Sequence, residues 1–384
     1  MRVLIIHTTY KVKGGEDSVV YNEAELLASA GHEVDLLIFS NSGKTVLKVA
    51  QLAFNLSSYH KTLRKVREFK PDIIHVHNLH FAGSPSVLYA ARKAKVPVVM
   101  TLHNYRLLCP SATLFFKGKL FTSSVNRIFA LEAIKKGVYQ DSKMITFWLA
   151  LSGALHHLAG TWRIPEKYVV LGDNEKDIFQ HSKLKQLADR MLVKPNFCYP
   201  YEQGKESKED YYLYVGRLSA EKGINILLEA FKNMNVRLKI AGSGPMEAEV
   251  SAAATIYPNI DFLGLNGPDE IRKIIAGAKA LIFTSVWFET FGMVIIEAFS
   301  CGVPVIASAI GEAQYLVKDG VDGLLFRSGD SADLINKIRY FETLDKDSQS
   351  KLGQNALKHY TENFTPKENL DKLTMIYNAA RHSA

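Results

Sequence analysis

The stretch Phe283-Thr284-Ser285-Val286-Trp287-Phe288-Glu289-Thr290-Phe291-Gly292-Met293-Val294-Ile295-Ile296-Glu297 decides how this chain folds. A short apolar run ending at Thr284 reads as a buried strand, a loop then carries Glu289 and Gly292, and the apolar spacing from Met293 onward reads as a helix. Strand, loop and helix in that order are the unit of a parallel sheet covered by helices. Working outward, the unit repeats. Strands are expected at 212–215, 237–241, 260–263, 280–284 and 304–307. Helices are expected at 224–234, 246–254, 269–276, 293–301 and 332–343.

The same alternation runs back toward the amino terminus. Strands are expected at 3–7, 34–39, 73–77, 98–102, 168–171 and 191–194, with helices at 17–30, 59–69, 84–95 and 174–181. Between 121 and 163 the pattern changes to a long helical region that includes Met144-Ile145-Thr146-Phe147-Trp148-Leu149-Ala150-Leu151. Packing on the sheet is the commoner use of such a stretch, with a membrane surface as the alternative. Pro195 stops the last strand of this half, and Pro200, Gly204 and the charge run 205–210 mark a linker. The expected architecture is therefore α/β: a domain over 1–195, a linker over 196–210, a second domain over 211–363 and a final segment over 364–384. Two doubly wound domains facing across a cleft would bind ligands at the carboxyl ends of their strands.

Composition agrees with a soluble globular protein: of 384 residues, 47% are hydrophobic and 22% charged, which excludes disorder as a serious reading. Cys109, Cys198 and Cys301 lack the paired spacing of a zinc site or redox dithiol and fit a reducing cytoplasm. The apolar run at the amino terminus is too short for a signal peptide. The best later apolar segment, 144–155, is about 12 residues, against the roughly 20 that spanning requires. Charge is uneven: residues 1–200 carry 27 Lys and Arg against 15 Asp and Glu, whereas 201–384 carry 20 against 24. A basic half of this kind suits anionic lipid or a phosphorylated acceptor as well as a plain solvated surface. No aromatic-interleaved basic platform is present to favour nucleic acid.

The chemistry-bearing residues cluster where strands are expected to end. Free amides at the helix start near Gly292 suit a diphosphate, and Glu289 and Glu297 suit vicinal sugar hydroxyls, although capping or salt-bridge roles explain two carboxylates equally well. In Gly216-Arg217-Leu218-Ser219-Ala220-Glu221-Lys222-Gly223, two cations five residues apart can converge on one anion. Ala241-Gly242-Ser243-Gly244-Pro245 admits a nucleotide or a tight turn, and Glu247 stands where a dinucleotide fingerprint would want a further glycine. Lys13-Gly14-Gly15-Glu16-Asp17 follows the first strand, where a phosphate contact and a plain turn are both open. His103, in Thr101-Leu102-His103-Asn104-Tyr105, ends a buried strand facing the expected cleft. The sole Asp-x-Asp, Asp345-Lys346-Asp347, reads as a solvated loop, so no metal ligands are assigned.

Taken together, Gly216-Arg217, Glu221-Lys222-Gly223, Ala241 to Pro245, Glu289-Thr290-Phe291-Gly292, Glu297-Ala298 and Cys301-Gly302-Val303-Pro304-Val305-Ile306-Ala307-Ser308 resemble the retaining glycosyltransferases of family four, group 1. In the first half, Gly14-Gly15, Thr101-Leu102-His103-Asn104 and Val193-Lys194-Pro195-Asn196 are similar to it more loosely. The resemblance implies the GT-B fold of two Rossmann-like domains, a closing motion between them, and a carboxy-terminal helix returning to the first domain. It implies metal-independent transfer, without a cofactor, from a nucleoside diphosphate sugar to a saccharide or lipid-linked acceptor. The catalytic set it implies is His103, Arg217, Lys222 and Glu289. The donor set is Gly15, Asn196, Gly216, Gly242, Gly244, Leu265, Phe291, Gly292, Met293, Val294 and Glu297, and the acceptor set Gly14, Asn104, Tyr105 and Arg106. Departures are Asn104, where many relatives have Asp, Phe121-Thr122-Ser123-Ser124, where a cysteine pair is frequent, and Tyr315, where a glutamate is usual. A catalytically silent sugar-binding protein on this fold would be expected to lack some of Arg217, Lys222, Glu289 and Glu297. An epimerase would turn over donor without an acceptor.

Overall fold

The computed structural model describes residues 1–9, 15–41, 52–201 and 208–383. The chain forms two compact units, the first made of Met1–Phe116, Leu120–Pro195 and Asn369–Ala384, the second of Lys117–Lys119 and Asn196–Glu368.

In the first unit, strands β1 (Arg2–Thr9), β2 (Glu33–Ser40), β3 (Ile73–Val76), β4 (Val98–Leu102), β5 (Lys167–Val170) and β6 (Met191–Val193) form one sheet in the order β2-β1-β3-β4-β5-β6. Neighbouring strands in it run parallel. Helices cover both faces of such a sheet, and its inner strands accordingly read as unbroken apolar runs: Val3 to Ile6 are wholly buried. The helices are α1 (Gly15–Ser29), α2 (Leu56–Phe69), α3 (Ser86–Ala94), α4 (Leu131–Lys136), α5 (Lys143–Leu158) and α6 (Asp173–Gln180). Helix α2 begins three residues before the apolar pattern suggests because the Asn55 side chain accepts a hydrogen bond from the Ser58 amide.

The second unit carries β7 (Tyr212–Val215), β8 (Leu238–Ala241), β9 (Ile260–Gly264), β10 (Ala280–Phe283), β11 (Val305–Ser308) and β12 (Gly323–Phe326), ordered β9-β8-β7-β10-β11-β12 and again parallel. Its helices are α7 (Ile224–Phe231), α8 (Glu247–Ile256), α9 (Pro268–Gly277), α10 (Met293–Ser300), α11 (Ala313–Leu316), α12 (Ser331–Thr343) and α13 (Lys346–Asn363). The core gathers Leu213's neighbours Tyr212 and Tyr214 with Leu227, Phe231, Ile240, Ile282, Phe326 and Phe341.

Two sequence expectations change. Asp345 and Asp347 do not lie in a loop: Asp345 caps α13 by accepting the Ser348 amide at 2.7 Å, and Asp347 sits in the helix's first turn, where a negative charge suits the dipole. The expected linker is not a free tether at its start. Cys198 is buried, its amide donates to the Phe364 carbonyl at 3.3 Å, and its carbonyl accepts from the Tyr360 hydroxyl at 2.8 Å. Residues 202–207 of that segment lie outside the described residues. The last helix, α14 (Pro366–Ser383), places Leu373, Ile376, Tyr377 and Ala380 in one core with Val3, Ile5, Ile73 and Val99 of the first unit.

Candidate active site

In the second sheet β7 and β10 are neighbours, yet the chain leaves β7 toward one edge of the sheet and later leaves β10 toward the other. Loops diverging at such a switch point open a crevice at the strands' carboxyl ends. The first loop carries Arg217 and Lys222, the second Ser285, Trp287 and Glu289. Gly223 brings them together: its φ is +73°, and any Cβ there would overlap the Thr284 carbonyl oxygen. The Thr284 hydroxyl donates to the Lys222 carbonyl at 2.8 Å, and the Val286 amide to the Glu221 carbonyl at 2.9 Å.

Held this way, the Lys222 ammonium pairs with Glu289 Oε1. The Ser285 hydroxyl donates to the same oxygen at 2.6 Å and the Trp287 indole N–H at 2.9 Å. The Lys222 Nζ also lies 5.7 Å from the centre of the Trp287 ring. All three donors meet on Oε1, so Oε2 is the carboxylate oxygen that the protein leaves unengaged among the described residues. Arg217 is exposed and forms no ion pair among the described residues.

Helix α10 starts beside this group with Gly292 as its N-cap and no side chain capping it. Its first amides have no acceptor one turn back and point at whatever lies ahead of the helix. The Phe291 side chain is turned away into the core against Phe364, with ring centroids 6.1 Å apart. One turn inside, burial raises the Glu297 carboxyl above its ordinary range while nearby Arg272 draws it down. Leu265 is 80% exposed just past β9. Asn196 is buried, and its Oδ1 has no hydrogen-bond partner among the described residues.

Gly216, Gly242 and Gly244 have a packing role visible in the backbone. A Cβ on Gly242 would strike the Gly216 carbonyl, and the Gly242 amide donates to the Gly264 carbonyl at 2.8 Å. The Leu218 amide donates to the Ser243 carbonyl at 2.9 Å. These glycines knit the loops after β7, β8 and β9 into one floor.

In the first unit His103 follows β4 and lines a cavity with His77, His80, Asn104, Arg106, Leu149 and Trp162. The Asn104 side chain accepts the Arg106 amide at 3.1 Å, a local turn. Arg106 donates to the Pro110 carbonyl at 3.4 Å and lies over the Tyr139 ring at 5.6 Å. Tyr105 departs from the expected acceptor set: its side chain is wholly buried, stacked on Phe179, and its hydroxyl accepts from Asn174 at 3.2 Å. Gly15 opens α1 with free space where a Cβ would stand, and Gly14 lies outside the described residues.

Behind His103 lies a buried polar set that sequence reasoning did not single out. His77 Nδ1 and His103 Nε2 are 2.9 Å apart. Lys194, Glu23, His75, Asn369 and Tyr377 surround them, all nearly inaccessible. The histidines at 75 and 77, alternating along a strand end beside that of His103, were the available signal. Glu23, His75 and His77 stand close enough to share an ion. Most of their atoms are already engaged: His75 bonds Tyr377 at 2.8 Å and Thr101 at 2.7 Å, Glu23 Oε1 pairs with the Lys194 ammonium, and His77 Nδ1 faces His103. Burial pushes the His75 and His77 imidazoles well below their ordinary range. It pushes His103 down to about 3 against the pull of Glu23.

Residues 199–359 match the family described as glycosyl transferases group 1, and residues 13–135 match glycosyltransferase family 4. The O-antigen chain mannosyltransferase C of Escherichia coli is 23% identical over 98% of each chain. The phosphatidyl-myo-inositol mannosyltransferase of Mycobacterium leprae is 25% identical over 88% of this chain and 86% of its own. Among solved structures, Anabaena HepE in complex with UDP superposes with a TM-score of 0.69 at 19% identity, covering 99% of this chain and all of that one. The sucrose-phosphate synthase of Thermosynechococcus elongatus gives 0.73 at 17% identity over the whole of both chains. These neighbours share the fold of two parallel-sheet α/β domains.

Proposed function

Because this chain belongs to the group 1 glycosyltransferases, we propose that it moves a hexose-type sugar from a nucleoside diphosphate to a saccharide or lipid-linked saccharide, with retention of anomeric configuration and without a metal ion. The observation that carries this reading is the Lys222–Glu289 pair, fixed by Ser285 and Trp287 beside the uncapped start of α10. It is supported by relatives named as mannosyltransferases and by HepE structures holding UDP and UDP-glucose.

In this reading the donor diphosphate lies against the amides of residues 291–294, with Lys222 and Arg217 meeting its charge. Glu289 Oε2 and Glu297 take hydroxyls of the sugar and the ribose. The floor formed by Gly216, Gly242 and Gly244, with Leu265 and Asn196, borders the nucleoside. As the bond from the anomeric carbon to the phosphate breaks, the departing phosphate oxygen accepts the proton of the acceptor hydroxyl, which adds to the same face. The cations stabilise the leaving charge, and His103 lines the reacting centre with Asn104 and Arg106.

The acceptor side is read from α5. One face of this helix buries Thr146, Leu149, Ala150 and Ala154, while the other leaves Met144, Phe147, Trp148, Leu155 and Leu158 exposed. The sequence favours packing, with a membrane surface as the alternative; the helix packs and still presents an apolar stripe, with Lys135, Lys136 and Lys143 close in sequence. Such a stripe with basic neighbours fits the interface of an anionic membrane, which supports a lipid-linked acceptor and a peripheral place on the cytoplasmic face. No described helix is long and apolar enough to cross a membrane.

Thermal-shift screening against UDP, GDP and ADP sugars tests the donor site, since a ligand stabilises the fold in proportion to occupancy. Stabilisation by one nucleotide at millimolar concentration is expected; none by any of them would remove the donor site. The anomeric proton coupling in the product then reads retention directly.

A further inference from the structure

Glu23 Oε2 and His77 Nε2 face one another 3.4 Å apart, both buried, and neither has a hydrogen-bond partner among the described residues. A buried donor or acceptor left unpaired is destabilising, so the stable arrangement puts a proton between these two atoms. Glu23 cannot supply it readily. Its Oε1 is held by the Lys194 ammonium, which is itself fixed by Asn369 Oδ1 at 3.3 Å. Burial alone would raise this carboxyl, but Lys194 and His77 outweigh that and hold it below its ordinary range. Glu23 is therefore the acceptor and His77 carries its proton on Nε2.

The remaining protons follow. A neutral His77 with Nε2–H has a lone pair on Nδ1, and that atom lies 2.9 Å from His103 Nε2. Only His103 can then donate, so its proton sits on Nε2 and its lone pair on Nδ1. The neighbouring ring of His75, 4.1 Å from that of His77 between centroids and tied to Tyr377 and Thr101, holds the stack in place.

We propose that Glu23 and His77 are positioning residues that fix His103 as its Nε2–H tautomer, so that His103 Nδ1 accepts a hydrogen bond from a substrate hydroxyl during sugar transfer. This rests on the transferase reading for its last step alone; the tautomer itself follows from the buried geometry. Lys194 and Asn369 act one step further back, keeping Glu23 charged and aimed.

The substitution Glu23→Gln separates the parts. Lys194 can only donate, so it claims the amide oxygen and leaves the amide NH2 facing His77 Nε2, which must now accept. His77 then donates from Nδ1 and the His103 proton moves to Nδ1. His77→Asn instead offers an amide oxygen where Nδ1 stood and preserves the acceptor for His103. Nitrogen-15 NMR of labelled imidazoles at pH 7.5 in the full-length protein reads each state without any turnover. Expected are Nε2–H on His103 in the wild type and in H77N, and Nδ1–H in E23Q. The kcat of E23Q is expected to fall about 10-fold or more with the donor KM nearly unchanged, and that of H77N to stay within about 3-fold. A wild-type His103 protonated on Nδ1 or on both nitrogens would overturn the proposal even if E23Q failed to fold. So would an unchanged tautomer in E23Q, or an inverted one with wild-type kcat. Absence of transfer by the wild type from every donor would instead sink the transferase reading and leave the tautomer result standing.

Discussion

Lys222 is one of two cations in its loop, and it is the one already neutralised, by Glu289, whereas Arg217 stands in solvent. The difference comes from Gly223 and Thr284, which clamp the Lys222 backbone against the opposite loop. Lys222→Ala and Glu289→Ala are each expected to lower kcat/KM at least about 100-fold, about 2.7 kcal/mol of lost transition-state stabilisation, with an unchanged circular dichroism spectrum. Near-normal turnover in both would mean the roles were misassigned. That these residues belong together was legible from their places at strand ends. That they bind each other was not, because pairing between loops 67 residues apart depends on two backbone contacts no local pattern encodes. Tyr105 shows the opposite failure: it adjoins His103 and Asn104 in sequence, but a turn closed by the Tyr105 amide on the Ala112 carbonyl at 2.9 Å sends its ring inward.

Among the elements, α5 is the one on which the proposed membrane contact rests. Its apolar residues run nearly all round the helix, so a periodicity reading cannot tell the packed face from the open one; only contacts with its neighbours do. Replacing Phe147 and Trp148 together by glutamate is expected to weaken binding to anionic phosphatidylglycerol vesicles at least about 10-fold in a flotation assay, by removing apolar burial and adding repulsion. The rate on a water-soluble acceptor should hold within about 2-fold. Equal flotation of variant and wild type would move the contact elsewhere. Alternating strands and helices were readable because a parallel sheet demands apolar runs bounded by turns. Helix α13 was missed because its buried positions, Leu352, Ala356 and Tyr360, are few in an otherwise polar segment. Strand β12, Gly323–Phe326, follows a turn too closely for a four-residue run to stand out.

Across the molecule, the inaccessible histidines lie on the amino-terminal sheet and its helices. Burial lowers the basicity of His7, His75, His77, His80 and His103, against Asp17 at His7 and Glu23 at His77 and His103. The unfolded chain binds protons near pH 6.5 that the folded chain refuses, so stability is complete above that value and is lost as pH falls toward the folded values. Each such histidine contributes up to about 1.4 kcal/mol per pH unit within that window. Glu23 adds a loss only at lower pH, below the ordinary carboxylate range. Urea midpoints are expected to drop steadily from pH 7.5 to pH 5 with little change in slope; a flat profile would mean these rings are already protonated or solvated in the fold. The final helix has a consequence in time. Its Leu373, Ile376, Tyr377 and Ala380 close a core begun by Val3 and Ile5, and its Asn369 grips Lys194. A ribosome delivers them only after every residue of the second unit. The half made first must therefore wait with an open apolar flank while the half made later is synthesised, so exposure to chaperones or to aggregation during translation falls on the amino-terminal sheet.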